Sequence, residues 1–159
     1  MEESEIRIKI ITHTIAELSK IYSELYRSAL EIAQKAYAPY STYNVGAAVL
    51  LDNGVIVTGN NQENAAYPSG LCAERVALFY AGAQYPEASV VAIAIAAFTK
   101  GKQVTHASPC GSCRQVLLET EFRNKNNQQI DILLCGVDNV KMITGATSLL
   151  PVGFSGKNL

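Results

Sequence analysis

The run Val90-Val91-Ala92-Ile93-Ala94-Ile95-Ala96-Ala97 has no polar residue and contains several β-branched ones. Its length is typical of a strand and is far below the roughly 20 apolar residues that a membrane-spanning helix needs. A strand that is apolar at every position is covered on both of its faces. We therefore expect this run to lie inside a sheet that carries helices on both sides.

Segments of alternating type flank this run. Apolar residues at helical spacing predict helices over residues 19–36, 72–82 and 111–122. β-Rich runs predict strands, the first of them at a sheet edge, over residues 6–10, 45–51, 55–60, 130–135 and 140–144. The Asn53-Gly54 step suits a tight hairpin turn between two of these strands. This alternation predicts an α/β fold with a single sheet between layers of helices.

Length and charge limit the classes of function. The 159 residues are enough for one compact domain, and we expect a single domain over 1–159 whose first 20 residues have no assigned role. The 13 basic and 14 acidic side chains leave no basic surface for a polyphosphate backbone, so a nucleic-acid partner is not expected. The acidic N-terminus, Met1-Glu2-Glu3-Ser4-Glu5, lacks the layout of a signal peptide. These features predict a soluble, cytoplasmic protein with no membrane partner.

Two short stretches contain cysteines at metal-binding spacing. Cys110-Gly111-Ser112-Cys113 is a C-x-x-C pair, which occurs both in zinc sites and in redox sites. Cys72 comes earlier, where a turn precedes a predicted helix. A redox pair needs no third thiol, whereas three protein ligands leave a fourth position on zinc open for water, as in catalytic zinc sites. We therefore predict one Zn²⁺ per chain, held by Cys72, Cys110 and Cys113.

The remaining cysteine and both histidines are not expected to bind this metal. Cys135 lies inside a predicted strand, where a free thiol is usually a core residue. His13 and His106 lie outside both cysteine stretches and are expected to be ordinary surface or core residues.

Charged residues next to the cysteines are candidates for the chemistry. Glu74 lies two positions after Cys72 on the first turn of the same predicted helix, where it can take a proton from water and pass it on. Three thiolates on Zn²⁺ sum to a charge of −1, so positive groups must offset them. We expect the two helix N-termini to do this together with Arg75 and Arg114, which directly follow motif residues.

With both motifs in hand, the sequence resembles the cytidine deaminase family in its small, homotetrameric, three-cysteine form. The matching segments are Tyr37-Ala38-Pro39-Tyr40-Ser41, Val45-Gly46-Ala47-Ala48, 61–68, Cys72-Ala73-Glu74-Arg75, 108–115 and 149–154. They cover most of the chain from Ala36 onward. The resemblance implies a three-layer α-β-α sandwich with one mixed central sheet of about five strands.

The resemblance also implies an activity, namely the hydrolytic deamination of cytidine and 2′-deoxycytidine to uridine and 2′-deoxyuridine in pyrimidine salvage. Zinc-activated hydroxide would attack C4 of the base, with Glu74 as the proton shuttle. The backbone at Ala73 would hold the base carbonyl, and Asn61 and Glu63 match a pair that binds the ribose 3′-hydroxyl. Positions that contact the nucleoside in the family match Tyr43 and Val45.

Self-association is a further implication of the resemblance. In the family, a C-terminal aromatic residue and a segment before the first motif help to complete the pocket of a neighbouring subunit. These match Phe154 and the segment Ala65-Ala66-Tyr67. A homotetramer with shared active sites is therefore expected, with a small nucleoside as the substrate.

Three other functions compete with this one. A blasticidin-type antibiotic deaminase is similar in both zinc motifs, but Asn61 and Glu63 together suit a ribose hydroxyl. A polynucleotide-editing deaminase needs a basic channel and a stacking platform, whereas this chain has near-balanced charge and no tryptophan. A non-catalytic, zinc-stapled module usually has four protein ligands, and here there are three candidates.

Overall fold

A computed structural model describes residues 1–156 of the chain. Within them the strands and longer helices are, in chain order, β1 (Ile11–Thr14), α1 (Lys20–Ala33), β2 (Tyr43–Leu51), β3 (Ile56–Asn60), α2 (Ala73–Gln84), β4 (Val90–Thr99), β5 (Lys102–Gln103), α3 (Gly111–Arg123), β6 (Asp131–Cys135) and β7 (Asn139–Thr144). No helix in this part of the chain is both long and apolar enough to span a membrane.

Strand β4 lies inside a mixed sheet, as its apolar sequence predicts. The strand order is β1-β7-β6-β4-β2-β3, and β5 pairs with the end of β4. β4 runs parallel to β6 and antiparallel to β2. Ile93 and Ile95 belong to the core shared with α2 and α3, whereas Ala92 and Ala94 belong to the core shared with α1. The sheet therefore separates one helix from two, and the three-layer α-β-α sandwich is confirmed.

The N-terminal strand lies later in the chain than the isoleucine pattern predicts. β1 pairs antiparallel with β7, with Ile11 opposite Met142, while residues 1–10 form no strand and are exposed. In this register the first residues of a strand over 6–10 would need partners beyond Thr144, where the chain turns at Gly145 with a φ of 87°. The prediction of a strand over 6–10 is therefore wrong. With β1 and the short β5, the sheet has seven strands instead of about five.

Gly59 of β3 lets the N-terminal half of α2 lie directly on the sheet. A Cβ atom built on Gly59 would stand 2.5 Å from the backbone nitrogen of Ala77 and 2.9 Å from the carbonyl oxygen of Ala73. Backbone atoms cannot rotate out of the way as a side chain can. The close approach fixes the height above the sheet of the helix end that carries Cys72 and Glu74.

Candidate active site

Three of the four cysteines converge where two helices begin. Cys72 is the N-cap of α2, Cys110 is the N-cap of α3, and Cys113 lies in the first turn of α3. The Sγ atom of Cys110 lies 3.9 Å from that of Cys72 and 3.5 Å from that of Cys113. All three sulfurs lie within 4.8 Å of one another. The structure thus brings together the thiols that the two motifs predicted.

The geometry of this cluster fits zinc. A tetrahedral zinc ion with zinc–sulfur bonds of about 2.3 Å holds its sulfurs about 3.8 Å apart, and the two measured distances lie on either side of that value. Cys135 is buried in β6, and His106 Nε2 lies 2.8 Å from Asn139 Oδ1, so neither joins the cluster. Three sulfurs leave a fourth tetrahedral position for water, as in catalytic zinc sites.

The surroundings favour negative charge on the Cys72 sulfur. A hydrogen bond with Cys113 lowers the pKa of Cys72 to about 5; burial acts in the opposite sense, and Arg75 lowers the pKa further. The same hydrogen bond raises the pKa of Cys113, because the proton stays on that sulfur. The N-termini of α2 and α3 add partial positive charge beside the cysteines. Thiolates are the form that binds a metal ion.

The two candidate arginines differ in what they contact. Arg75 Nη2 lies 3.5 Å from Cys72 Sγ, as expected of a residue that compensates thiolate charge. Its buried Nε has no hydrogen-bond partner within residues 1–156. Arg114 instead donates to the carbonyl oxygens of Pro109, at 3.0 Å, and Leu149, at 3.1 Å. Arg114 therefore ties the chain after β7 to α3, and the expectation that it hydrogen-bonds the thiolates is wrong.

Replacing Arg75 with glutamine is expected to weaken zinc binding about 10-fold to 100-fold, because Cys72 then loses its charged hydrogen-bond donor. Competition with a chromogenic chelator measures the change. Arg27→Gln is the matched control, because Arg27 is exposed on α1 and should leave zinc affinity unchanged. Equal zinc affinity in the Arg75 variant and the wild type would remove the charge-compensating role.

Glu74 is the buried carboxyl group of the site. It lies in the first turn of α2, and its residue is 4% exposed. Burial raises its pKa; a hydrogen bond from its own backbone N–H opposes the rise, and the charge on Cys72 adds to it. A raised pKa brings a carboxyl group closer to the balance between holding and releasing a proton that a general acid and base needs.

Cys72, Cys110 and Glu74 border a cavity of about 630 Å³, which is large enough for a nucleoside-sized ligand. Glu74 and Ile95 are buried on its walls, whereas Tyr67 is 79% exposed. The cavity therefore runs from a buried end that holds Glu74 to an exposed rim. Five residues that were predicted to contact the substrate line it, namely Tyr43, Val45, Asn61, Glu63 and Tyr67.

The part of the chain that holds this site matches a known family. Residues 19–126 match the family model described as the cytidine and deoxycytidylate deaminase zinc-binding region. The match includes Cys72, Cys110, Cys113 and Glu74, and it covers most of the chain. The chain belongs to the cytidine and deoxycytidylate deaminase family. It is a zinc-dependent deaminase, and the three-cysteine cluster is the group of residues able to hold the ion.

Individual relatives support this assignment along most of the chain. A cytidine deaminase of Sporosarcina psychrophila is 38% identical over 136 residues, which are 86% of this chain and 93% of that protein. One of Halalkalibacterium halodurans is 46% identical over 97 residues, covering 60% of this chain and 68% of the other. The crystal structure of a Burkholderia pseudomallei cytidine deaminase superposes with a TM-score of 0.69 at 35% identity, covering 84% and 98% of the two chains.

In this deaminase Asn61 holds the cavity wall as well as lining it. Its Oδ1 accepts a hydrogen bond from the Val45 backbone N–H at 2.8 Å, and its Nδ2 donates to the Tyr43 carbonyl at 2.9 Å. Asn61 thereby fixes the start of β2, on which two other lining residues stand. The resemblance to the family implies that Asn61 contacts the ligand, but it gives no sign of this second, structural role.

The carboxylate of Glu63 also accepts hydrogen bonds from within the chain. Its Oε2 accepts from the backbone N–H groups of Tyr40, at 2.8 Å, and Ser41, at 3.3 Å, and its Oε1 accepts from the Ser41 hydroxyl. The Ser41 hydroxyl is the main cause of a lowered pKa at Glu63, so this carboxyl group is ionised at neutral pH. Glu63 therefore places a fixed negative charge in the half-exposed part of the cavity.

The remaining predicted substrate contacts do not line the cavity of a single chain. Ala73 is fully buried in α2. Ala65 and Ala66 are exposed on the loop before Tyr67. Phe154 is 60% exposed, and its carbonyl oxygen accepts a hydrogen bond from Gln115 of α3 at 2.9 Å. The apolar C-terminal segment thus docks on α3 of its own chain while leaving the Phe154 ring largely uncovered.

Several lining residues were not predicted as site residues, and they include Tyr40, Ser41, Gln62, Asn64, Leu71, Ala107 and Ser108. The first two lie in the loop before β2, within the segment Tyr37-Ala38-Pro39-Tyr40-Ser41 that matches the family. The Tyr40 ring meets the Tyr67 ring edge to face, with centroids 6.3 Å apart and planes at 70°. Leu71 lies at the cavity wall because it pairs with Gln62 in a short antiparallel bridge. Such long-range pairings have no local sequence pattern.

Proposed function

We propose that the protein catalyses the hydrolytic deamination of cytidine and 2′-deoxycytidine to uridine and 2′-deoxyuridine, with release of ammonia. The observation that carries this proposal is Glu74, a 4% exposed carboxyl residue at the buried end of the cavity and beside the cluster of three cysteine sulfurs. Replacing an amino group on an aromatic carbon by oxygen needs a nucleophile and a proton carrier at one place, and this end of the cavity offers both. The two bacterial relatives compared above are cytidine deaminases.

In the proposed mechanism Cys72, Cys110 and Cys113 hold zinc, which when bound makes a water molecule nucleophilic near neutral pH. Glu74 takes the first proton of that water and gives it to N3 of the cytosine ring as C4 accepts the oxygen. Glu74 then takes the remaining hydroxyl proton and gives it to the 4-amino group, which leaves as ammonia while the C4 carbonyl forms. The raised pKa of Glu74 suits a group that holds and releases a proton twice in one cycle.

The charges of the cavity favour a nucleoside over a nucleotide. Its charged lining residues are Glu63, Glu74 and Arg75, and the one cation among them is engaged with Cys72. An ionised Glu63 accepts a hydrogen bond from the sugar 3′-hydroxyl, with Asn61 beside it, and repels a 5′-phosphate. In this pose the side chains of Tyr43 and Val45 pack on the nucleoside. The backbone at Ala73 hydrogen-bonds the base carbonyl.

We expect kcat/KM for 2′-deoxycytidine to exceed that for 2′-deoxycytidine 5′-monophosphate by about 100-fold, because like charges then face each other across the cavity rim. The two compounds differ only by the phosphate, so each is the control for the other. Loss of the cytosine absorbance and release of ammonia measure both reactions. Equal or faster turnover of the nucleotide would contradict the nucleoside preference, and no turnover of cytidine or either compound would contradict the proposed reaction.

The proposed enzyme is a cytoplasmic homotetramer in which residues 1–159 form one domain and active sites are shared between subunits. The exposed aromatic rings of Phe154 and Tyr67 support this, because aromatic side chains are enriched in the interfaces between protein subunits. In this assembly Phe154 and the segment Ala65-Ala66-Tyr67 complete a neighbouring pocket.

Sedimentation of the wild type is expected to give a tetramer, and Phe154→Ala is expected to lower kcat/KM about tenfold. A fully active monomer would contradict the shared site.

A further inference from the structure

We infer that Ser41 is a positioning residue of the substrate site, whose hydroxyl group holds the Glu63 carboxylate ready to accept a hydrogen bond from a sugar hydroxyl of the substrate. The inference rests on the proposed deamination of a nucleoside. Its basis is the set of hydrogen bonds that joins the loop before β2 to the segment after β3. Both residues line the cavity.

The groups that donate hydrogen bonds to Glu63 are unequally divided between its two carboxylate oxygens. Oε2 accepts from the Tyr40 backbone N–H at 2.8 Å and from the Ser41 backbone N–H at 3.3 Å. Oε1 accepts from the Ser41 hydroxyl. An ionised carboxylate has about four acceptor positions and no donor. The hydrogen bonds above use both positions on Oε2 and one on Oε1, so the position left for a ligand is on the oxygen that Ser41 holds.

The direction of the Ser41 hydroxyl group is set by its other contact. The backbone N–H of Tyr43, at the start of β2, donates to Ser41 Oγ at 3.0 Å. Since Oγ accepts on that side, and since a carboxylate cannot donate, the hydroxyl proton points to Glu63 Oε1. Ser41 therefore couples the first residue of β2 to the carboxylate and fixes the torsion of the Glu63 side chain.

The chemistry of this position selects the class of group that it takes. An acceptor-only oxygen on a half-exposed wall needs a neutral or positive donor, and a hydroxyl group supplies one. A phosphate group would bring further acceptors and negative charge to the same place. Glu74 lies at the buried end of the cavity, close enough to Cys72 to feel its charge, so the base lies there and the sugar lies towards Ser41 and Glu63.

Other contacts hold the loop when the hydroxyl group is removed. The two backbone N–H donors to Glu63 do not depend on the side chain of residue 41. Tyr40 also keeps its edge-to-face contact with Tyr67. Ser41→Ala is therefore expected to leave the fold and the loop in place, while it removes the donor to Glu63 Oε1 and the acceptor of the Tyr43 N–H.

The test compares cytidine with 3′-deoxycytidine in the wild type, Ser41→Ala and Ser41→Thr. For cytidine we expect Ser41→Ala to raise KM about fivefold with kcat within about twofold, because a pre-ordered hydrogen bond to the substrate is weakened. Ser41→Thr keeps the hydroxyl group and is expected to stay within about twofold of the wild-type KM. For 3′-deoxycytidine, which lacks the hydroxyl group, the wild type and Ser41→Ala are expected to have the same KM.

The control variant is Ser148→Ala, which removes a serine hydroxyl that donates to the Thr144 carbonyl at 3.1 Å outside the cavity. It should leave KM for both nucleosides unchanged. An equal rise in KM for both nucleosides in Ser41→Ala would mean that Ser41 only packs the loop, and would overturn the inference. A rise in KM for cytidine in Ser41→Thr as large as that in Ser41→Ala would also overturn the inference. The comparison of two substrates in one sample is insensitive to the folded fraction. A wild type that deaminates neither nucleoside would overturn the proposed function, and this inference with it.

Discussion

Replacing Glu74 with glutamine is expected to lower kcat for cytidine by about a thousandfold or more, while the protein stays folded and keeps its zinc. Glutamine has nearly the shape of glutamate, but it cannot take a proton from water or carry one to N3 and the 4-amino group. Zinc is retained because the clustered ligands are the three cysteines. Steady-state kinetics, zinc per chain and thermal unfolding of the same sample measure the three parts of this expectation.

Glu119→Gln is the matched control for this variant. Glu119 is exposed on α3 and does not line the cavity, so the same loss of one carboxylate should leave kcat within about twofold of the wild type. Wild-type turnover in Glu74→Gln would show that Glu74 is not the proton carrier. A Glu74→Gln protein without zinc would instead give Glu74 a part in holding the metal, and fully active zinc-free protein would contradict both roles.

Replacing Cys113 with alanine is expected to reduce the zinc content from one ion per chain to about a tenth or less, and to remove activity with it. Cys113 is fully buried in the first turn of α3, and its Sγ atom lies 3.5 Å from that of Cys110, so the variant removes one of the three clustered ligands. Two thiolates leave two positions of a tetrahedral ion to water, and such sites bind zinc weakly. Metal analysis after dialysis and cytidine turnover check this prediction.

Cys135 supplies the control, because it is also fully buried but lies in β6 outside the cluster. Its Sγ lies 3.7 Å from the Leu133 carbonyl oxygen, which is a core contact. Cys135→Ala is expected to lower stability by about 1 kcal/mol through the small cavity that it leaves, and to keep full zinc content and activity. Loss of zinc in Cys135→Ala but not in Cys113→Ala would contradict the assignment of the cluster.

The cysteine cluster could be predicted from sequence because its determinants are local. Each motif cysteine lies at or just after the start of a helix, and helix starts follow from turn residues and apolar periodicity. The apolar sequence of β4 likewise indicates that the strand is buried on both faces, and both faces are indeed covered. What remained was to bring two helix ends together, and the packing of α2 and α3 side by side on one face of the sheet does so.

Other parts of the site depend on contacts between distant segments, and these have no local pattern. The tie between Ser41 and Glu63 joins a loop to a segment 22 residues later. Arg114 follows a motif cysteine and resembles Arg75 in sequence position, yet it bonds to the carbonyl of Leu149, 35 residues away. Which of two equivalent arginines faces the sulfurs is decided by the packing of the chain after β7. The N-terminal strand likewise depends on where β7 ends.

The most direct test of the account combines zinc per chain with cytidine turnover in one purified sample. We predict one zinc ion per chain, conversion of cytidine to uridine with release of ammonia, loss of that activity when a chelator removes the ion, and its return when zinc is restored. Undiminished turnover of cytidine by zinc-free protein, or a full complement of zinc without any turnover of cytidine, would contradict it.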